Sequence, residues 1–247
     1  MFDLPAYLLL LIAASALLTA TVHGATGLAG GVLMAAILAH ILGIKAAIPV
    51  MTCALLFSHT SRVLIYRHDI DWSTAGRVLL FGLPTIVVGA FVFTTLSPRL
   101  IAFIFALFLI ASFPIKAWSQ KNSLKTSPRL LAGASAVWGM LAGNVIGPGF
   151  FLAPFLLGTG MNRLTFVGTL AAIVLVMNAT KLAVFGATDL MNLELLTLGV
   201  AIGLLTIPGN LLGQAILRRL QDSDHRLAVD IMTMMMIANF FYLALSG

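Results

Sequence analysis

Long apolar runs are the feature of this sequence that most restricts its fold. Several reach the roughly 20 residues that an α-helix needs to cross a bilayer, among them 74–95 and 194–217. Of the 247 residues, 60% are hydrophobic and only 9% are charged, whereas a soluble domain carries about a quarter charged residues. Lipid offers no water to unpaired backbone groups, so such runs form helices or a closed barrel. The alternation typical of a membrane barrel is absent, and we predict an all-α polytopic membrane protein.

The charged residues indicate how the chain sits in a membrane. There are 14 Lys and Arg against 8 Asp and Glu, a net charge of +6. The basic residues are concentrated in short loops such as 116–129 and 217–226, as expected of cytoplasmic loops. We therefore expect a lipid bilayer, and not nucleic acid, as the partner of this chain, and a multi-pass location in the inner (plasma) membrane.

Two further observations limit the chemistry. The single cysteine, Cys53, excludes an intrachain disulfide and a multi-cysteine metal site, and we expect neither a metal nor another cofactor. The first apolar run, 4–22, lacks a basic leader and a cleavage pattern, so we interpret it as part of the folded protein and not as a signal peptide.

Glycines, prolines and polar loops divide the chain into ten apolar segments. They are predicted at 4–22, 27–42, 45–66, 74–95, 98–118, 130–142, 147–159, 163–186, 194–217 and 226–245. The polar stretch 119–128 predicts a cytoplasmic linker between a first transmembrane repeat, 1–118, and a second, 129–247. With the basic loops in the cytoplasm, the third segment runs inward and its counterpart, the eighth, runs outward. The prediction is two inverted repeats, each a broken or re-entrant helix pair plus three transmembrane helices.

Two Gly-rich breaks occupy corresponding places in the two halves, at 27–36 and 145–154. Their glycines are Gly27, Gly30 and Gly31 in the first break, and Gly147 and Gly149 in the second. Interrupted segments at matching positions of two halves indicate the binding site of a secondary transporter, since the N-terminus of a half-helix attracts an anion. Close helix packing is the alternative explanation, but the duplication favours a site. Thr26 and Asn144 directly precede the half-helices, where they could cap them or bind a ligand.

Polar residues also match between the third and eighth segments. They are Ser58, His59 and Arg62 in the former and Asn178 and Lys181 in the latter. Ionisable groups within a membrane are costly and usually functional, although Arg62 and Lys181 could instead snorkel to the headgroups. Their equivalent positions favour a role in guiding or gating an anion. His59 could couple proton movement to transport, or simply make an interhelical hydrogen bond.

Other polar residues receive weaker interpretations. No carboxylate is expected deep in a segment, which favours a small anion over a cation as substrate. His23 and His40 are interpreted as residues near the membrane interface, Asn210 as a polar contact inside the bundle, and Cys53 as a small hydrophobe.

The doubled Gly-rich motif at 27–36 and 145–154, together with the basic central loop, resembles the TauE/SafE sulfite-exporter family over nearly the whole chain. Ala29 interrupts the glycines of the first copy, and Val145 and Pro148 replace glycines in the second. The resemblance implies a secondary transporter of sulfite, thiosulfate or an organosulfonate.

An anion channel and an intramembrane enzyme are the alternative classes. The sequence contains neither a Gly-x-Ser-x-Gly turn nor a His-Glu-x-x-His motif, which intramembrane serine proteases and metalloproteases would need. We therefore predict a protein that is not an enzyme. The sequence leaves open the particular anion, the direction of transport, the coupling ion and the oligomeric state, a homodimer included.

Overall fold

The computed structural model describes residues 5–26, 30–121, 124–147, 149–217 and 222–246. These residues form ten α-helices joined by short connections. The helices are α1 (Ala6–Thr26), α2 (Gly30–Leu42), α3 (Ile44–Ile65), α4 (Trp72–Thr95), α5 (Pro98–Lys121), α6 (Pro128–Asn144), α7 (Gly149–Leu157), α8 (Arg163–Ala187), α9 (Leu193–Leu217) and α10 (Asp222–Ser246).

Six helices of the described chain, α1, α3, α4, α5, α8 and α9, are long and apolar enough to cross a membrane. In contrast, α2 has 13 residues and α7 has 9, so they extend only about 20 Å and 14 Å at 1.5 Å per residue. Neither covers the roughly 30 Å of a bilayer's hydrocarbon core. The predicted all-α polytopic membrane fold is confirmed, and re-entry of the short helices stays a prediction.

Side-chain caps explain where several helices begin. Asp71, Ser127 and Asn162 each accept a hydrogen bond from the backbone N–H three residues later, at the starts of α4, α6 and α8. Asp71 also accepts from the hydroxyl of Thr74 at 2.7 Å. The backbone and hydroxyl hydrogen bonds from Thr74 stabilise the carboxylate and hold the pKa of Asp71 below its ordinary value.

Several helix boundaries differ from the predicted segments. α1 continues past residue 22 to Thr26, α5 continues to Lys121, and α6 already begins at Pro128. The predicted linker 119–128 is therefore shorter at both ends. The reason is physical: polar residues end an apolar run, but Ser, Gln and Lys are acceptable helix formers, so the helix outlasts the run. The division of the chain into two repeats stays a prediction.

The closest helix contacts are between the two halves of the chain. α1 packs most closely against α9, and α4 packs most closely against α6, so the first helix of each half lies on the fourth helix of the other. Small residues allow these close approaches. A Cβ atom added to Gly143 would lie 2.5 Å from the carbonyl carbon of Gly89, and one added to Gly24 would lie 2.5 Å from the carbonyl oxygen of Asn210.

The two helices α3 and α8 lie at the centre of the bundle, and each contacts the other. They run antiparallel, since Tyr66 at the end of α3 lies beside Gly168 near the start of α8. The backbone N–H of Asp71 donates to the hydroxyl of Thr169 at 2.9 Å in the same region. An inverted repeat requires this antiparallel relation of α3 and α8, while inversion of the two whole halves stays a prediction.

Candidate functional site

A narrow cavity lies where the two Gly-rich breaks meet. It has a volume of about 30 Å³, room for about two water molecules. Its polar lining consists of His23, His59 and Arg62, and its glycine lining consists of Gly31, Gly147 and Gly149. The remaining wall is apolar and comes from α3, α8 and the α6–α7 connection. Residues from α1, α2, α3, α7 and α8 thus converge on one place.

The start of α2 and the start of α7 both reach this cavity. Gly31 is the second residue of α2 and Gly149 is the first residue of α7. Gly147 turns the chain between α6 and α7 with a φ of 77°, a conformation in which L residues with a Cβ are strained. A Cβ atom at Gly147 would also collide with the side chain of Val32 on α2. Glycine at this position therefore allows the second break to lie against the first.

Arg62 forms the positive centre of the cavity lining. Its side chain is only 7% exposed, and its guanidinium donates to Nε2 of His23 at 3.1 Å. The ring of His59 lies edge-on to that of His23, with 5.6 Å between the centroids. Nδ1 of His59 donates to the carbonyl oxygen of Leu55, one turn earlier on α3, at 2.8 Å. Among the described residues, the lining contains one guanidinium, two imidazoles and no carboxylate, which suits an anion.

His23 is predicted near the membrane interface, but its side chain lines the cavity. The side chain is 6% exposed and contacts both Arg62 and His59. Its position one turn before the first Gly-rich break was the available sequence signal. That signal was missed because the predicted first segment ended at residue 22, which put His23 in a loop.

Lys181 is completely buried but does not line the cavity. Its ammonium group donates to the carbonyl oxygen of Val145 at 3.0 Å and lies 5.8 Å from the ring centroid of Phe185. Val145 directly follows the last residue of α6, so the cation sits at the negative end of that helix. The side chains of Lys181 and Arg62 are both buried within the bundle, which does not fit the snorkelling alternative.

The predicted polar residues Ser58 and Asn178 lie beside the cavity and not on its wall. The hydroxyl of Ser58 accepts from Nδ2 of Asn210 at 2.8 Å, which joins α3 to α9. Asn178 donates from Nδ2 to the carbonyl of Val174, one turn earlier, at 3.0 Å. The amide oxygens of Asn178 and Asn210 are buried without a hydrogen-bond partner.

The two residues predicted to cap the half-helices or to bind a ligand are the last residues of the preceding helices. Asn144 is the last residue of α6, and its Nδ2 donates to the carbonyl of Met140 within that helix at 2.9 Å. Its Oδ1, the atom that would accept from the first turn of α7, is buried without a hydrogen-bond partner, so Asn144 does not cap α7 in this arrangement. Thr26 is the last residue of α1, while its side chain and Gly27 fall outside the described residues.

Gly30, Cys53 and His40 are not part of the cavity lining and make packing or surface contacts. A Cβ atom on Gly30 would collide with the backbone of Thr19, so this glycine lets α2 pack closely on α1. Cys53 is 2% exposed, with its sulfur 3.9 Å from a carbonyl of α9. His40 is exposed, and its Nε2 lies 2.7 Å from the amide oxygen of Asn239 on α10.

Six membrane-length helices, two Gly-rich breaks that meet and a buried basic cluster define a polytopic membrane protein of the transporter class. The family model for the sulfite exporter TauE/SafE matches residues 12–240, and the chain belongs to this family. No curated protein matches the chain, and no solved structure matches it either. The chain is thus a multi-pass protein of a family of membrane anion exporters, which is a transporter family and not an enzyme family.

Proposed function

We propose that this chain is a secondary transporter that carries a small anion across the plasma membrane by alternating access. Sulfite, thiosulfate and organosulfonates are the proposed substrates, in keeping with the sulfite-exporter family model. The observation that carries the proposal is the cavity at the two breaks, whose described lining brings the Arg62 guanidinium together with two imidazoles and holds no carboxylate. A cluster of basic side chains attracts negative charge, and a bound anion would receive charge-assisted hydrogen bonds from Arg62.

The site offers an anion three kinds of donor. Arg62 supplies charged N–H groups in a planar arrangement that matches an oxyanion. Gly31 and Gly149 place the first turns of α2 and α7 at the cavity, and the positive ends of two helix dipoles stabilise negative charge there. The imidazoles of His23 and His59 add titratable donors. Transport coupled to a proton gradient is therefore part of the proposal.

The cavity is too small for a tetrahedral oxyanion to enter without movement, since about 30 Å³ holds about two waters. We take this arrangement as an occluded one, from which the site opens to either side. The packing of helices from one half on helices of the other suggests which parts of the bundle move during transport. The close pairs α1–α9 and α4–α6 each join the two halves, so the moving units would be these mixed pairs and not the halves themselves.

Uptake into proteoliposomes tests the function. Purified protein is reconstituted, and the saturable uptake of ³⁵S-labelled sulfite and thiosulfate is measured with and without the same unlabelled anion inside. Counterflow, an acceleration by internal anion, distinguishes a carrier from a channel. We expect saturable uptake with counterflow, and its absence for both anions would contradict the proposed substrates.

Two arginine variants tie the flux to the cavity. We expect Arg62→Gln to lower uptake at least tenfold, which corresponds to about 1.4 kcal/mol. This is a minimum, because a hydrogen bond to a charged group contributes about 1.5–3 kcal/mol. Arg77→Gln is the matched control, because Arg77 is an exposed residue near the start of α4. Both proteins must elute as single species from a sizing column. Equal uptake by the two variants would show that Arg62 does not bind the anion.

A further inference from the structure

The contact between Arg62 and His23 fixes which nitrogen of the imidazole carries hydrogen. Arginine has only N–H donors, and one of them donates to Nε2 of His23 at 3.1 Å. Nε2 must therefore present its lone pair, and a neutral ring carries its hydrogen on Nδ1. A proton on Nε2 would set one N–H against another beside a permanent positive charge. The guanidinium and a proton thus exclude each other at this atom.

The other ring nitrogen of His23 is an unused donor. Nδ1 is buried and has no hydrogen-bond partner, although the ring lines the cavity. Leaving a buried donor unpaired is costly, and native proteins leave few such groups without a reason. An oxyanion in the cavity would supply the missing acceptor, and beside Arg62 it would receive charge-assisted hydrogen bonds as well.

The charged neighbours of His23 come from one helix. α3 presents Arg62 and His59. From α2 the neighbour is Gly30, and from α9 it is the backbone of Asn210 next to Gly24. The only titratable residues within α2 and α9 are His40 and Glu194, both near the helix end remote from this contact. α10 touches α1 less closely, and its charged residues fall in 222–230, whose side chains are not among those described. No described carboxylate faces His23.

We propose that His23 couples proton uptake to anion binding by exchanging the Arg62 guanidinium for a proton at Nε2. This inference rests on the proposed transport function. The anion accepts a hydrogen bond from Nδ1–H and draws Arg62 towards itself, which uncovers the lone pair of Nε2. That lone pair then forms an N–H bond with a proton from a hydronium ion of the aqueous phase on the open side, which leaves a water molecule. The resulting imidazolium and Arg62 together carry two positive charges, which neutralise a dianion such as thiosulfate.

The coupling is reciprocal. Because the anion favours the protonated state of His23, protonation of His23 favours anion binding by the same factor. His59 lacks this exchange: its Nδ1 donates to the carbonyl of Leu55, and that hydrogen bond does not involve Arg62. The arrangement therefore assigns the coupled proton to His23 and not to His59, although both rings line the cavity.

The test compares three glutamine variants by the ratio of thiosulfate uptake with and without an inward proton gradient. The side-chain oxygen of glutamine can accept from Arg62 but cannot take up a proton, so His23→Gln keeps the contact and removes the exchange. We expect the gradient to stimulate wild-type uptake several-fold, and the ratio for His23→Gln to fall to about one. The ratio is the readout because substitutions at the cavity also change binding. His59→Gln should retain the wild-type ratio, and the exposed His40→Gln should retain both rate and ratio.

Several results would overturn the assignment: a loss of the ratio in His59→Gln alone, a retained ratio in His23→Gln, or a wild-type protein that shows counterflow without any response to the gradient. The last of these would remove proton coupling from the proposed function but leave anion transport by a carrier intact. Absence of counterflow in the wild-type protein would instead contradict the proposed function itself.

A second measurement needs no transported anion. The ¹⁵N spectrum of the purified protein with labelled histidine, assigned with His23→Gln, reports which ring nitrogen carries hydrogen. We expect hydrogen on Nδ1 and a bare Nε2 in the wild-type protein. In Arg62→Gln, whose amide can donate or accept, both forms of the ring should be populated. Hydrogen on Nε2 while Arg62 is present would refute the exchange, whatever the transport assay shows.

Discussion

Replacing Gly143 with alanine should separate α4 from α6. A Cβ atom at this position would lie 2.5 Å and 2.6 Å from the carbonyl carbon and Cα of Gly89, and it would also collide with the backbone nitrogen of Ala90. All three neighbours are backbone atoms, so no side chain can rotate away. Ordinary Cβ contacts begin at 3.4 Å, and the helices would therefore have to move apart by about 0.9 Å.

The cost follows from this displacement. A gap of about 0.5–1 Å already forfeits a quarter to a half of the dispersion energy of each contact, and overpacked sites lose about 1–3 kcal/mol. Alanine itself favours a helix over glycine by up to about 1 kcal/mol. Gly133→Ala is the matched control, since Gly133 is an exposed residue of the same helix with nothing within 4 Å of the added atom. We expect Gly133→Ala to be as stable as the wild-type protein or slightly more stable, and Gly143→Ala to be about 1–3 kcal/mol less stable than that control.

Thermal unfolding in detergent measures this difference. Cys53 is the only cysteine and is 2% exposed, so a thiol-reactive fluorogenic dye reports its release on unfolding. For a chain of this size 1 kcal/mol corresponds to about 2–4 °C in Tm, and a difference of about 2 kcal/mol between the two variants amounts to roughly 4–8 °C. Equal Tm values for the two alanine variants would refute the close backbone contact between α4 and α6.

Two further predictions concern single side chains. Lys181→Met should retain or raise Tm, because burying an ammonium costs several kcal/mol and leaving one carbonyl unpaired costs about 1–3 kcal/mol. It should lower anion uptake, because Lys181 holds the carbonyl of Val145, directly before the cavity-lining Ile146 and Gly147. A variant with lower Tm and normal uptake would show that Lys181 is structural. Asp71→Asn should lower Tm at pH 7, since the pKa of Asp71 is lowered by its hydrogen bonds from Thr74. A lowered pKa stabilises the fold fully above the ordinary aspartate range near about 4, and this stabilisation is lost as pH falls through the lower folded value. The difference in Tm between Asp71→Asn and the wild-type protein should therefore shrink in acid, and a difference that grows in acid would contradict this reasoning.

The helical segments could be predicted from the sequence because membrane helices follow a simple physical rule. Apolar length fixes each span, and Gly-rich or polar stretches such as 27–36 interrupt it. Helix ends were less predictable. α5 continues through Ser119 to Lys121, because a helix can extend beyond the apolar layer. The burial of Arg62 and Lys181 could not be decided in advance, since near a segment end a long basic side chain can turn inward or outward with equal ease.

The pairing of helices carries little signal in a single sequence. Gly89 and Gly143 meet across α4 and α6, yet each belongs to a motif of small residues that could pack against any neighbour. The contact of His23 with Arg62 depends on this pairing as well as on the extra turn of α1. Matching positions in the two halves therefore predicted Arg62 and His59, which line the cavity, but not His23 beside them.

The packing of helices from one half on helices of the other also has a consequence for biogenesis. α1 ends at residue 26 and its principal partner α9 begins at residue 193, so roughly 165 residues must be translated before the two can meet. At about 5–20 residues per second this takes about 10–30 s, during which α1 remains in the lipid without its partner. Neither half expressed alone would contain a complete set of helix contacts, whereas the two halves co-expressed as separate chains would. Assembly of this protein is therefore a late event, completed only after the last membrane segments have left the ribosome.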